Sequence, residues 1–211
     1  MSASLLTPYL FAGDGVIDLG ANVGRYSAVF AEIVGSQGYV LAVEPDPAEA
    51  ARLRKETAAQ PQMHVVEAAV GAVAETRPLY VDRADRRRNS LWAANVITAG
   101  EECRCAVRTL DDLAQGVPNL TAIKVDVQGA ECHVLDGAAE TLARDLVWLV
   151  EVWPVGLMNA GRSVEELASR FQAHGIELVL GQKPRDWAEV VSATRTFKRH
   201  QSIDVVLRRC A

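Results

Sequence analysis

The chain has 211 residues, 49% of them hydrophobic and 23% charged. At about 150 residues per domain this reads as one packed domain, residues 1–211, and excludes disordered, collagenous and disulfide-scaffold classes. With 22 Lys and Arg against 27 Asp and Glu the net charge is -5, so no global positive field exists to hold a nucleic acid.

Cys103, Cys105, Cys132 and Cys210 lack C-x-x-C spacing, so neither a zinc site nor a disulfide framework is expected. The first ten residues have no basic or apolar leader character, and no run approaches the roughly 18 apolar residues of a membrane span. A cytoplasmic protein with reduced thiols and no membrane partner is the expectation.

In chain order, short apolar runs alternate with helical spacing. Residues 16–19 form the first run, and Arg25–Val34 follows with Tyr26, Val29, Phe30 and Ile33 on one face. Tyr39–Val43 is the second run. Residues 46–59 then open with an Asp cap and Pro47 at the first helical position. Residues 64–67 are the third run. Residues 122–125 and 147–150 enclose a helical stretch, 130–143, with apolar Val134, Leu135, Ala138 and Leu142. Residues 164–174 repeat the pattern with Leu167, Ala168 and Phe171.

Runs that are apolar at consecutive positions belong to strands covered on both faces. Strand then helix, repeated, predicts a doubly wound parallel sheet with right-handed crossovers. Residues 176–180 and 203–207 are two further strands, joined without a clear helix, and expected as an antiparallel pair at one sheet edge. Residues 82–90, with Asp85-Arg86-Arg87-Arg88, are the one flexible candidate.

The first strand ends in Asp18-Leu19-Gly20-Ala21-Asn22-Val23-Gly24. In an open α/β sheet, ligands bind beyond the carboxyl ends of the strands, and glycines there let the backbone turn tightly beside them. Glu44, at the end of the second strand, can accept hydrogen bonds from both hydroxyls of a ribose. A dinucleotide fingerprint would be G-x-G-x-x-G, and this spacing is absent. A carboxylate at Asp18 would repel a pyrophosphate but suits an ammonium or sulfonium charge, which favours S-adenosylmethionine over NAD.

Four blocks carry a more specific resemblance. They are Val16-Ile17-Asp18-Leu19-Gly20-Ala21-Asn22-Val23-Gly24, Val43-Glu44-Pro45, Thr109-Leu110-Asp111-Asp112-Leu113, and Ile123-Lys124-Val125-Asp126-Val127-Gln128-Gly129-Ala130-Glu131. Together they resemble the FkbM-type S-adenosylmethionine-dependent methyltransferases. The resemblance implies an α/β class I methyltransferase fold, Rossmann-like, with a mostly parallel seven-stranded sheet of order 3-2-1-4-5-7-6 and an antiparallel last strand. It implies methyl transfer to a hydroxyl of a sugar or a polyketide or peptide natural product.

Carried over by position, Asp18, Gly20, Asn22 and Gly24 would line the methionine part of the cofactor. Glu44 and Pro45 would lie at the ribose, and Ala68, Ala69 and Val70 near the adenine. Asn89 and Ser90 resemble a cofactor-proximal motif, and Asp126 would stand beside the transferring methyl. Two departures are visible. Gln128 stands where the block usually carries Glu, which removes an acid and weakens a metal site. Only about 15 residues precede the first strand, so the site is expected to be open, or closed by a second subunit in a homodimer.

A hydroxyl acceptor must lose its proton. Asp126 and Glu151, at adjacent strand ends, are the candidate bases, with Asp126 preferred and His133 a third candidate. Glu131 reads as support for the first turn of its helix. The two carboxylates could instead share a divalent ion, without a recognisable third ligand. Arg86, Arg87 and Arg88 could meet an anionic acceptor, and Trp92 and Trp153 could stack on an acceptor ring. The competing readings are a cofactor-binding scaffold that has lost catalysis and an NAD-dependent oxidoreductase.

Overall fold

The computed structural model describes residues 3–179 and 186–210. Short α1 (Ala3–Leu6) precedes β1 (Gly15–Leu19), α2 (Arg25–Val34), β2 (Tyr39–Val43), α3 (Pro47–Glu56) and β3 (Met63–Val66). Next come β4 (Ala69–Val70), β5 (Glu75–Asp82), β6 (Ala99–Arg108), α4 (Leu110–Gln115) and β7 (Leu120–Val125). The chain continues through α5 (Glu131–Asp136), α6 (Ala139–Leu142), β8 (Val147–Val152), α7 (Pro154–Asn159) and α8 (Val164–Gln172). Last are β9 (Ile176–Leu178), α9 (Trp187–Thr194) and β10 (Ile203–Arg209).

The main sheet has the order β3-β2-β1-β7-β8-β10-β9, with β10 antiparallel to both neighbours and the other pairings parallel. Counting only its own strands, this is the expected order 3-2-1-4-5-7-6. The strands of its centre are buried at nearly every position, as their unbroken apolar runs require. Trp148, Phe171, Leu110 and Ile123 fill one face, and Leu6, Val16, Phe30 and Val206 the other. Among the described residues no helix is long and apolar enough to cross a membrane.

One element was not expected, and three expectations are corrected. A second sheet of order β4-β6-β5 occupies residues 69–108. Its strands carry apolar residues at alternate positions, Leu79 and Val81 on β5 and Cys105 and Val107 on β6. That is the pattern of a half-wet strand, which a search for consecutive apolar residues passes over. The Cys103-x-Cys105 pair is one face of β6, and both thiols are free.

Residues 82–90 are a tied turn. Buried Asp82 accepts four backbone N–H groups, from Ala84, Asp85, Ile97 and Thr98, and Asn89 accepts the N–H of Asp82. The single helix expected over 130–143 breaks at Gly137 into α5 and α6. Asp111 accepts the N–H groups of Glu140 and Thr141 and the Thr141 hydroxyl, which starts α6 as a separate helix. The expected helix-free link before β10 contains α9, capped by Asp186 through the N–H of Glu189 at 2.8 Å. Leu180, the end of one expected strand, lies outside the described residues.

Removing the cap in Asp111→Ala should cost about 1 kcal/mol, the usual worth of such a cap. Urea unfolding is expected to show a lower midpoint with an unchanged slope.

Candidate functional site

The carboxyl ends of β1, β2, β7 and β8 open into a cavity of about 1150 Å³. Gly20, Asn22, Glu44, Pro45, Ala69, Ser90, Asp126 and Glu151 all line it, as do Ala68 and Val70. Ser4 and Thr7 add a wall from the N-terminal segment, so that segment covers part of the site within one chain. Asp18 and Gly24 stand outside the lining.

The turn after β1 is shaped by close approach. Gly20 has φ +74°, and a side-chain carbon there would run into the main-chain oxygen of Asp126. Gly24 has φ +76° and faces the Leu53 side chain of α3, so its role is packing of α2 against α3. Asn22 lies between them with φ +49°, and its N–H donates to Glu44 Oε2 at 2.8 Å.

Glu44 also accepts the N–H of Asp46 at 2.9 Å. Burial raises its carboxyl to about 7, against the lowering effect of those two N–H groups. The neighbouring Asp46 caps α3 and takes two guanidinium bonds from Arg86, at 2.8 and 3.1 Å, and one amide bond from Asn89 at 2.7 Å. Arg87 and Arg88 share Asp85. The arginine run therefore latches the loop before β6 onto the end of β2.

Asp18 is fully buried and paired. Lys124 Nζ is 3.0 Å from Asp18 Oδ1, and Ser27 Oγ donates to Oδ2 at 2.6 Å. The same ammonium reaches the carbonyls of Leu19 and Gly20 and lies 3.6 Å from Asp126 Oδ2. Burial disfavours its charge, but Asp18 and then Asp126 outweigh this and hold it above the usual lysine range. The negative charge expected of Asp18 toward a cationic ligand is thus already neutralised, and Asp126, at the tip of β7, lines the cavity in its place.

At the neighbouring tip, Gln128 Nε2 donates to Asp126 Oδ1 at 2.8 Å and to Glu151 Oε2 at 2.9 Å. Ser202 Oγ donates to Glu151 Oε1 at 2.9 Å. Burial first, and Asp126 second, push the Glu151 carboxyl well above the usual carboxylate range. No group of three or more His, Cys, Asp or Glu that could hold a metal ion occurs among the described residues.

The remaining candidates are occupied elsewhere. His133 stacks on Trp92 at 5.0 Å, with Arg77 5.2 Å from the Trp92 ring centre, and its Nε2 is 3.4 Å from the Ala160 carbonyl. Neither ring lines the cavity. Trp153 is buried, and its indole N–H donates to the Arg199 carbonyl at 2.7 Å. Glu131 accepts the N–H groups of Val127 and Gly129, the supporting role read for it.

Sequence reasoning passed over Lys124, although a signal existed. Lys124 and Asp18 are charges of opposite sign inside apolar runs of two strands that prove to be neighbours, and they stand directly opposite in register. A charge inside such a run demands a partner.

The sequence matches the Methyltransferase FkbM domain over residues 18–178. The chain belongs to the FkbM methyltransferase family. Solved structures share its fold at low identity. A methyltransferase FkbM from Methylobacillus flagellatus KT is 14% identical, with a TM-score of 0.56, over 93% of this chain and 43% of that one. Aeropyrum pernix fibrillarin with bound S-adenosyl-L-methionine is 14% identical, with a TM-score of 0.56, over 98% and 73%. An S-adenosylmethionine-dependent O-methyltransferase from Thermotoga maritima is 16% identical, with a TM-score of 0.53, over 100% and 65%. No curated protein matches the chain. The family makes this chain a methyltransferase, and solved structures named for S-adenosylmethionine share its fold.

The buried ion pair gives a direct test. Lys124→Met leaves Asp18 buried without its counter-charge and should cost about 3–5 kcal/mol of stability by urea unfolding. Adding Asp18→Asn to that variant should recover a large part of the loss.

Proposed function

We propose that this chain transfers a methyl group to a hydroxyl oxygen of a small molecule, a sugar or natural-product scaffold, and that all of residues 1–211 form one methyltransferase domain. The observation that carries the reading is the pairing of Asp126 with Glu151 at adjacent strand tips, in the same cavity as Glu44 and the 20–24 turn. The residues present fit the cofactor. Glu44 offers carboxylate oxygens to ribose hydroxyls, and Ala68, Ala69, Val70 and Leu91 offer an apolar wall to a base. Asp126 offers the acid to a cationic centre.

S-adenosylmethionine supplies a methyl carbon activated by its sulfonium charge. The protein's task is then to hold the acceptor hydroxyl in line with that carbon and to take its proton. Asp126 takes the proton, with Lys124 beside it. A cavity of about 1150 Å³ exceeds the roughly 300–1,000 Å³ of a typical ligand pocket, which leaves space for a small acceptor beside the cofactor.

The reading is tested by isothermal titration with S-adenosylmethionine, followed by methyl transfer to a panel of hydroxylated acceptors. Turnover should appear on hydroxyl acceptors, be abolished in Asp126→Asn and survive thorough chelation. Transfer confined to nitrogen or carbon would sink the oxygen assignment.

Cofactor affinity should also depend on pH through Glu44. Ribose hydroxyls donate to the ionised carboxylate, so binding favours loss of the proton that Glu44 carries below about 7. Affinity is expected to fall, by up to about tenfold per unit, as pH drops below that value, and to level off above it. In Glu44→Gln the affinity should be lower and this dependence should vanish.

A further inference from the structure

Gln128 is the most constrained residue of the cavity, and methyl transfer as described leaves it without a role. Its φ is +52°, which only Asn22 and Asn119 share among the described non-glycine residues. Such a backbone costs on the order of 1 kcal/mol or more and persists only where its neighbours over-determine it.

They do so from two directions. Glu131, the first residue of α5, is wholly buried and accepts the N–H groups on either side of Gln128, from Val127 at 3.3 Å and Gly129 at 3.1 Å. From the segment between β5 and β6, Ser90 Oγ and Asn95 Nδ2 each donate to the Gln128 carbonyl at 2.9 Å. The clamp leaves the carboxamide between two acids. Its NH2 has two hydrogens, and its two short contacts are Asp126 and Glu151.

We propose that Gln128 is a positioning residue, whose carboxamide joins Asp126 and Glu151 into one unit and fixes Asp126 as the acceptor's base. The purpose of this unit rests on the oxygen methyl transfer argued above; its geometry does not. A glutamate at this position would bring three carboxylates together, a set that calls for a cation. The amide instead gives each acid a hydrogen-bond donor. The other groups by the unit are Lys124 from β7, Glu131 from α5, Ser202 just before β10, and Asp204 of β10, opposite Glu151 in register. Burial first, and the neighbouring Asp126 second, push the Glu151 carboxyl well above the usual carboxylate range.

Gln128→Gly separates positioning from structure, because glycine accepts the positive φ freely while the carboxamide is lost. The probe is the carbonyl stretch of protonated Glu151, followed against pH by isotope-edited infrared spectroscopy and assigned by its disappearance in Glu151→Gln. Donated hydrogen bonds favour ionised acids, so losing them should raise the Glu151 midpoint by about one unit, a tenfold change in its proton affinity. Gln128→Glu keeps the side chain's shape, replaces the donors with a third acid and should raise the midpoint further. It carries the test should glycine loosen the loop. A midpoint unchanged in both variants overturns the proposal. The titration needs neither cofactor nor acceptor, so a failure of the proposed methyl transfer would show separately, in the turnover assay on the panel of hydroxylated acceptors.

Discussion

The site hangs on a buried ion pair. Taking Lys124 and Asp18 out of water costs several kcal/mol for each charge, so a pair of this kind contributes little net stability. What it contributes is geometry. Lys124 belongs to β7 and Asp18 to β1, and the same ammonium holds the carbonyls of Leu19 and Gly20 where β1 ends. Asp18 in turn holds Ser27 of α2. The glycine turn is therefore tied at its start to β7 and at its far end to α2, and Gly20 lies against the main chain of Asp126 because no larger residue fits there.

This pairing also decides where negative charge faces the cavity. Asp18 is silent toward a ligand, Asp46 is taken by Arg86 and Asn89, and Asp85 by Arg87 and Arg88. The remaining acids are Glu44 at one end and Asp126 with Glu151 at the other. A protein of net charge -5 thus presents its acids to the cavity selectively.

The main sheet was legible because burial on both faces leaves a mark in sequence. Each central strand is apolar at successive positions, and Asp46-Pro47 announces α3. The second sheet was not, since a half-wet strand alternates and borrows its burial from a distant partner, as Leu79 does from Cys103. The break between α5 and α6 was illegible for a similar reason: it depends on Asp111, remote in sequence. Glu44, Asp126 and Glu151 line one cavity, as the convergence of strand ends on a crevice led one to expect. Which acids are paired was decided by contacts across strands: Asp18 meets Lys124 of β7 and is buried, which its place in the glycine motif did not reveal. Gln128 looked like the loss of an acid, and only its place between two acids gives it meaning.

Two of the loops that wall the cavity use one device. Asn22 and Gln128 each have a left-handed backbone, and each is held by a buried carboxyl that accepts main-chain N–H groups. Glu44 serves the first loop, and Glu131 the second. Burial raises both carboxyls to about 7, so the fold tolerates two costly acids to hold two strained residues. Strain of this kind persists only when enough neighbours insist on it. The loop after β1 and the loop after β7 are consequently set by bonds from their main-chain N–H groups to buried carboxyls, whose own side chains have no room to move.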